Sequence, residues 1–207
     1  MAKISVVVIH GGEVFNSYKD YLNYVVERPV SAENFNPHPN WKTRLQADLG
    51  SEFKVFLPRM PCSEDAKFDV WEAWLYRLFP HLGDTVIFVG ESLGGIFVAK
   101  TLSRPNFPLK VAGTILVAAP FTDENTGRTL ATFRLPDPTL KRFREQAGEI
   151  QIFHSTDDPV VPFEHANMYH RTLAAPVLSI LHNRGHLNVE NFPEMTRAIK
   201  RIALAYA

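Results

Sequence analysis

The sequence predicts an α/β fold in which helices cover both faces of a mostly parallel sheet of about six strands. Short apolar runs, most of them rich in β-branched residues, recur along the chain, and the stretches between them are long enough to cross back over a sheet. The runs are nearly continuous in hydrophobicity, which is typical of parallel strands buried on both faces. The predicted strands are Ile4–Ile9, Phe53–Leu57, Thr85–Val89, Val111–Ala118, Ile150–Phe153 and Val177–Leu181.

Several of the intervening stretches have helical features. Phe68–Phe79 carries apolar residues near helical spacing, and Leu93–Leu102 follows a glycine-rich turn. Phe163–Leu173 follows Pro162, a residue suited to the first turn of a helix. Near the end of the chain an apolar stripe recurs at i, i+3, i+4 and i+7, which predicts a last helix with one buried face. The stripe consists of Met195, Ala198, Ile199 and Ile202.

Length and composition predict one soluble globular domain, 1–207. Lys plus Arg and Asp plus Glu both number 22, so the formal net charge is zero and nothing favours binding to nucleic acid or to an anionic membrane. Cys62 is the single cysteine, which excludes an internal disulfide. The apolar run Ile4–Ile9 is too short for a signal peptide or a membrane span. We therefore expect a cytoplasmic protein.

Two segments interrupt the alternation of strands and helices. Glu13–Asn40 follows the first predicted strand and Pro120–Pro138 follows the fourth. Both leave the carboxyl ends of strands, where open α/β sheets bind ligands. The first segment is rich in aromatic residues, and we expect it to form a lid or a wall of a pocket. The alternative is that its apolar residues merely bury one face of a helix: Tyr18, Tyr21, Leu22 and Val25.

The pattern Gly90-Glu91-Ser92-Leu93-Gly94 predicts a nucleophilic serine. It lies between a buried strand and a helix, the setting in which G-x-S-x-G forms a sharp turn that exposes the serine hydroxyl. Side chains at positions 90 and 94 would collide with the neighbouring helix and strand, which explains both glycines. The structural alternative is a tight strand-to-helix turn with a capping serine.

A serine hydroxyl needs a base within hydrogen-bond reach, and that base needs an orienting acid. The fifth predicted strand is followed by Asp157 and Asp158, and the sixth by His182 and His186. Asp158 is favoured because it directly precedes a rigid Pro-Val-Val-Pro turn, although Asp157 stays open as the acid. His186 is favoured because it follows a glycine in a loop, whereas His182 is still at the strand end. His182 and His186 have no evident third ligand beside them, so the sequence does not predict a metal site.

Two backbone N–H groups are expected to form an oxyanion hole. One is that of Leu93, which follows the nucleophile at the helix N-terminus. The other comes from His10-Gly11-Gly12, after the first predicted strand, with Gly12 as the best single donor; a plain Gly-Gly turn is the alternative. Further contacts to substrate are expected from residues on the loops around the serine. These are Gly11, Glu13, Phe15, Trp41 and Glu91.

These motifs together resemble the α/β-hydrolase superfamily, and within it the small serine-hydrolase branch that includes retinoblastoma-binding protein nine. The resemblance runs from near the start to near the end of the chain. It implies a compact three-layer fold, a Ser-Asp-His triad and no cofactor. The marks that carry it are His10-Gly11-Gly12, Trp41 opening a helix, Gly90-Glu91-Ser92-Leu93-Gly94-Gly95, Ser155-Thr156-Asp157-Asp158-Pro159 and Gly185-His186.

The predicted function is hydrolysis of a small acyl ester, thioester or amide through an acyl-enzyme on Ser92. Two alternatives stay open. One is a non-catalytic protein-binding module on a hydrolase scaffold, against which the intact set of three residues argues. The other is acyl transfer or lyase chemistry with the same triad. The expected partner is a small-molecule acyl substrate, and the sequence gives no indication of a protein partner.

Overall fold

The computed structural model describes residues 4–36, 39–174 and 176–206 and contains one six-stranded sheet. All the strand pairs are parallel, in the order β2-β1-β3-β4-β5-β6. The predicted sheet is confirmed, with β3 and β5 running two residues further at their carboxyl ends than the apolar runs indicate. The strands are β1 Ile4–Ile9, β2 Phe53–Phe56, β3 Thr85–Glu91, β4 Lys110–Val117, β5 Glu149–Ser155 and β6 Val177–Leu181.

Helices follow most of the strands, and the four predicted from the sequence are confirmed. In the described ranges they are α1 Tyr18–Glu27, α2 Trp41–Leu49, α3 Phe68–Leu78, α4 Leu93–Thr101, α5 Lys141–Gln146, α6 Glu164–Thr172 and α7 Pro193–Tyr206. Helix α5 was not predicted, because its six residues are too few to show the helical periodicity of apolar residues. Residues 37 and 38, in the predicted insertion Glu13–Asn40, lie outside the described ranges.

The core lies on both faces of the sheet, which explains why the strands read as continuous apolar runs. In β1, Val7 and Ile9 join the cluster formed with α3, α4 and α6, whereas Val6 and Val8 join the cluster formed with α2 and α7. Successive side chains of a strand point to opposite faces, so a strand covered on both sides needs apolar residues throughout. The three-layer arrangement is thereby confirmed.

The edge strand β6 departs from this pattern. Val177 and Ile180 are 46% and 50% exposed, although the sequence predicts burial on both faces. The run is as apolar as the inner strands, but among the described residues it pairs only with β5 and no strand lies on its outer side. Hydrophobicity alone therefore does not separate an edge strand from a central one.

The strand order creates a crevice at the carboxyl end of the sheet. From β1 the chain goes to β2 on one side, and then returns to place β3 on the other side. Such a switch point leaves a gap above adjacent strand ends, where ligands bind in α/β proteins. The loop after β1 and the turn after β3 meet there. Considering residues 4–36, 39–174 and 176–206, we find no helix with the length and apolar character needed to cross a bilayer.

Candidate active site

Ser92 stands on a strained turn between β3 and α4. Its backbone has φ 52° and ψ −123°, a conformation that L residues rarely adopt and that costs about 1–3 kcal/mol. Two backbone hydrogen bonds hold the turn: the Ser92 N–H donates to the Val117 carbonyl at 2.8 Å, and the Ser92 carbonyl accepts from the Gly95 N–H at 2.8 Å. Strain maintained in this way is typical of a functional position.

The glycines around Ser92 are required by close backbone packing. A Cβ atom at Gly90 would lie 2.4 Å from the Gly94 carbonyl oxygen, and one at Gly94 would lie 2.3 Å from the Ile9 carbonyl oxygen. The predicted collisions with the helix and with the neighbouring strand are therefore confirmed. At Gly95 a Cβ would approach that of Ala119 to 2.4 Å. Helix α4 can pack this tightly on the sheet only because these positions lack side chains.

His186 and Asp158 form a buried hydrogen-bonded pair. The imidazole Nδ1 lies 2.8 Å from Asp158 Oδ2 and 3.0 Å from Oδ1. The Asp158 side chain is fully buried and that of His186 is 14% exposed. An ionised carboxylate accepts only, so Nδ1 carries the proton and Nε2 is left free to accept one. This is the tautomer that a general base requires.

Asp158 is held as a carboxylate in spite of its burial. Burial raises the pKa of Asp158, but hydrogen bonds from His186 and from the Val161 and Val160 N–H groups outweigh it, and the pKa lies below its usual value. Those two N–H groups donate to Oδ1 at 3.0 and 2.8 Å. They belong to the Pro-Val-Val-Pro turn that the sequence singles out after Asp158.

His154 lies beside the acid and hydrogen-bonds to the turn that also binds Asp158. Its Nε2 lies 2.8 Å from the Val161 carbonyl oxygen, to which it donates, and 3.5 Å from Asp158 Oδ2. Burial lowers the pKa of His154, so the ring is neutral near pH 7 and its one N–H is donated to the Val161 carbonyl rather than to the carboxylate. The sequence places His154 at the end of the fifth strand near the acid, but its contact with Asp158 emerges only from the fold.

Asp157 has a different role from Asp158. Its carboxylate accepts from the Ser155 hydroxyl and from the backbone N–H groups of Arg184 and Gly185, at 3.2 and 3.3 Å. The Ser155 hydrogen bond is the main cause that lowers the pKa of Asp157. Asp157 therefore fastens the loop that carries the histidine, while Asp158 contacts the histidine itself. Of the two acids left open by the sequence, Asp158 is the one that contacts His186.

The histidine left open as an alternative base, His182, does not line the cavity that contains Ser92 and His186. It is exposed, and its Nδ1 lies 3.0 Å from the Thr156 hydroxyl. Within the described ranges, no group of three or more histidine, cysteine, aspartate or glutamate residues is arranged to hold a metal ion.

Ser92 and His186 line one cavity of about 440 Å³ above the strand ends. They are not hydrogen-bonded to each other in the described part of the chain; in enzymes without substrate such bonds are often long and tighten on binding. The loop after β1 closes on the serine, since a Cβ at Gly11 would lie 3.1 Å from Ser92 Cβ. Leu93 and Gly12, the expected oxyanion donors, also line the cavity.

The five expected substrate contacts divide into two groups. Gly11, Glu13 and Glu91 line the cavity. Phe15 does not, because its ring packs against α1, at 5.2 Å from Tyr24. The expectation for Trp41 needs correction: it is 2% exposed in the core beneath α2. An aromatic residue beside a loop reads as a pocket residue in sequence, although the fold buries it.

The two irregular segments both contribute to the cavity wall, as predicted from their position after β1 and β4. Glu13–Asn40 supplies Glu13, Val14 and Arg28, and Pro120–Pro138 supplies residues from Pro120 to Leu130. The alternative for the first segment, a buried helix face, is wrong. No residue of α1 is buried, and Tyr18 is 71% exposed.

Several residues around the cavity were not identified from the sequence. Arg28, Glu64, Arg128 and Asn188 line it, and Lys42 of α2 forms an ion pair with the buried carboxylate of Glu91. Isolated charged residues carry no motif, so no local signal marks them. Their importance depends on which loops meet at the cavity.

A strained serine after the third strand, facing a cavity shared with a buried carboxylate–histidine pair on later loops, defines an α/β-hydrolase. Residues 34–200 match the serine hydrolase family, and the chain belongs to that family. It is a serine hydrolase. No curated protein matches it in sequence.

Solved structures share its fold. The ydeN gene product of B. subtilis is 20% identical and superposes with a TM-score of 0.74, covering 98% of this chain and 100% of its own. The CumD meta-cleavage product hydrolase of Pseudomonas fluorescens IP01 is 16% identical with a TM-score of 0.64, covering 98% and 91%. A structure from a study of carboxylesterases of the thaumarchaeon Nitrososphaera gargenis is 15% identical with a TM-score of 0.63, covering 99% and 91%.

Proposed function

We propose that this serine hydrolase cleaves small acyl esters through an acyl-enzyme, with Ser92 as nucleophile, His186 as general base and Asp158 as the orienting acid. The observation that carries the proposal is the 2.8 Å contact between His186 Nδ1 and buried Asp158. It leaves Nε2 of an imidazole unprotonated in the cavity that also contains the strained serine.

The reaction has two halves. Ser92 attacks the acyl carbonyl while Nε2 of His186 takes the hydroxyl proton, and Asp158 stabilises the imidazolium that forms. His186 then gives this proton to the leaving alcohol, which departs and leaves the acyl group on Ser92. Water repeats the sequence on the acyl-enzyme and releases the acid. Each proton taken by His186 is returned, so the enzyme ends the cycle unchanged.

The tetrahedral oxyanion is stabilised by the N–H groups of Leu93 and Gly12. Leu93 is the first residue of α4, where N–H groups lack partners within the helix and the helix dipole favours negative charge. Gly12 belongs to the loop that contacts Ser92 through Gly11. Two such donors in a partly enclosed site account for a large share of the rate in acyl transfer.

The cavity favours a short or moderate acyl group. Its volume of about 440 Å³ is at the lower end of the range for small-molecule sites, and its wall is mixed in polarity, with both charged residues and Val14, Leu93, Pro120 and Leu130.

The cytoplasmic location expected from the sequence stays a prediction.

The test is a series of p-nitrophenyl esters from acetate to decanoate, with Ser92→Ala as the control and a fluorophosphonate probe for the nucleophile. We expect covalent labelling at Ser92, a rate maximum among the shorter chains, and loss of both with Ser92→Ala. Unchanged ester hydrolysis by Ser92→Ala would end the proposal. An absence of both labelling and turnover would favour the protein-binding alternative, and product trapped by an added alcohol in preference to water would favour acyl transfer.

A further inference from the structure

Two arginines reach the cavity from different segments and converge on one aromatic ring. Arg28 follows α1 as its C-cap, and Arg128 lies in the segment after β4. The guanidinium carbons lie 5.6 and 5.5 Å from the centroid of the Tyr24 ring. Both residues line the cavity that contains Ser92. Cation–π contact holds both guanidinium groups next to the same aromatic ring in the cavity wall.

The two arginines differ in how their charge is balanced. Arg128 forms an ion pair with Glu13, and burial lowers its pKa. Among the side chains that the structure describes, Arg28 forms no ion pair with a carboxylate. Its backbone N–H donates to the Tyr24 carbonyl at 3.0 Å, which holds the residue at the end of the helix. A half-buried guanidinium is thus kept in the catalytic cavity without a counter-charge.

The acids around the cavity do not supply that counter-charge. Glu13 is occupied by Arg128, and Glu91 by Lys42. Glu64 is exposed and forms no ion pair in the described part of the chain. Guanidinium groups bind carboxylates through two parallel N–H bonds, and a guanidinium already ordered by stacking loses less entropy when it does so.

We infer that the substrate carries a carboxylate in addition to the bond that is cleaved, and that Arg28 binds this carboxylate. The inference rests on the proposed function, since it names the class of ester hydrolysed at the same serine. The class comprises half-esters of dicarboxylic acids, with the charge on the acyl side, and esters of hydroxy acids, with the charge on the alcohol side. The charge of Arg128 is balanced by Glu13, so Arg28 is the arginine left to bind this carboxylate.

Matched pairs of esters test this inference on both sides of the scissile bond. On the acyl side, p-nitrophenyl hemiglutarate is compared with p-nitrophenyl valerate. On the alcohol side, 4-carboxyphenyl butyrate is compared with phenyl butyrate. We expect the acidic member of one pair to have the higher kcat/KM and this preference to weaken as salt is raised.

Variants of the cavity arginine separate recognition from folding. Arg28→Gln should lower kcat/KM for the preferred acidic ester about 10- to 100-fold, the range for a lost charge-assisted hydrogen bond, mainly through KM. The neutral partner ester should change less than about threefold. Arg28→Lys should recover only part of the loss, because an ammonium lacks the planar fork. Glu64→Gln should strengthen the preference for the acidic ester, because it removes a negative charge that repels the substrate carboxylate.

The matched control is Lys19→Gln, which removes one positive charge from an exposed position on the same helix, α1. It should leave both members of each pair unchanged. The inference would be overturned if Arg28→Gln lowered kcat/KM equally for acidic and neutral esters. It would also be overturned if the wild type preferred the acidic ester in neither the acyl-side nor the alcohol-side pair. Both results would leave ester hydrolysis intact. No turnover of any ester, together with no labelling of Ser92, would instead remove the proposed function and this inference with it.

Discussion

The two adjacent carboxylates after β5 offer a sharp test, because a one-residue shift separates two different roles. Asp158 contacts His186 at 2.8 Å, whereas Asp157 accepts from the backbone of the loop that carries this histidine. Replacing each in turn by asparagine changes one atom and one charge at neighbouring positions. The pair Asp158→Asn and Asp157→Asn therefore controls for side-chain size and for net charge.

The expected effect of Asp158→Asn follows from its hydrogen bonds. The amide oxygen can still accept from the Val160 and Val161 N–H groups, which now donate to Oδ1 at 2.8 and 3.0 Å. The NH₂ group then takes the place of Oδ2 and presents a donor to Nδ1, so His186 adopts the other tautomer and carries its proton on Nε2. An imidazole protonated there cannot take a proton from Ser92. We expect kcat to fall about 10⁴-fold, equivalent to about 5.4 kcal/mol of transition-state stabilisation.

Asp157→Asn should have a much smaller effect. Its side chain is exposed to solvent, and asparagine retains an oxygen that can accept from the loop. We expect kcat to change by no more than about fivefold.

The assay is steady-state hydrolysis of p-nitrophenyl butyrate, with active sites counted by fluorophosphonate labelling of the wild type and with circular dichroism to verify folding. If Asp158→Asn kept more than a tenth of wild-type kcat, the assignment of the acid would be wrong. Comparable losses of kcat in both variants would show that the position of the loop carrying His186, and not the imidazole tautomer, limits the rate.

Three further predictions concern stability and are measured by urea unfolding. Gly94→Ala should destabilise the fold by about 1–3 kcal/mol or more, because its methyl group would overlap main-chain oxygens; an unchanged midpoint would contradict this. Burial lowers the pKa of His165, so protons favour the unfolded chain and stability should fall as the pH drops below about 6.5. His165→Asn, which keeps an acceptor for the Phe121 N–H, should flatten this loss between pH 7 and 5, and an equally steep curve would exclude His165 as a cause. Lys42→Met should cost about 3–5 kcal/mol because it leaves Glu91 buried and unpaired, and Lys42→Met combined with Glu91→Met should recover much of it, whereas additive losses would refute the pairing.

Much of the fold could be predicted because its signals are local. Each inner strand needs apolar residues on both faces, so β1 and β3 are visible through the uninterrupted apolar runs Val6–Ile9 and Val86–Val89. The same holds for α7, whose buried stripe follows the helical period. Helix α5 is too short to show a period, and β6 lies at an edge that its composition does not reveal.

The candidate site was predictable to the extent that chain order and backbone geometry define it. The turn at Ser92 requires glycines, and these are visible in the sequence. The expected chain order of serine, acid and histidine then leaves two adjacent candidates for the acid, Asp157 and Asp158, and two nearby candidates for the base, His182 and His186. The cavity wall was predicted less well. Trp41 reads as a pocket residue, but α2 packs it against the sheet face and Phe192.

The sequence by itself determined the layered α/β architecture and the strained turn that carries Ser92, because periodicity and steric demands act on neighbouring residues. Only the tertiary structure decided that Asp158 rather than Asp157 meets the imidazole, since the orientation of each carboxylate depends on the turn after β5 and on the loop after β6. It also decided that Arg28 and Arg128, a hundred positions apart in the chain, share one aromatic ring beside the serine. Contacts of this kind arise from the packing of distant loops, and no local pattern encodes them.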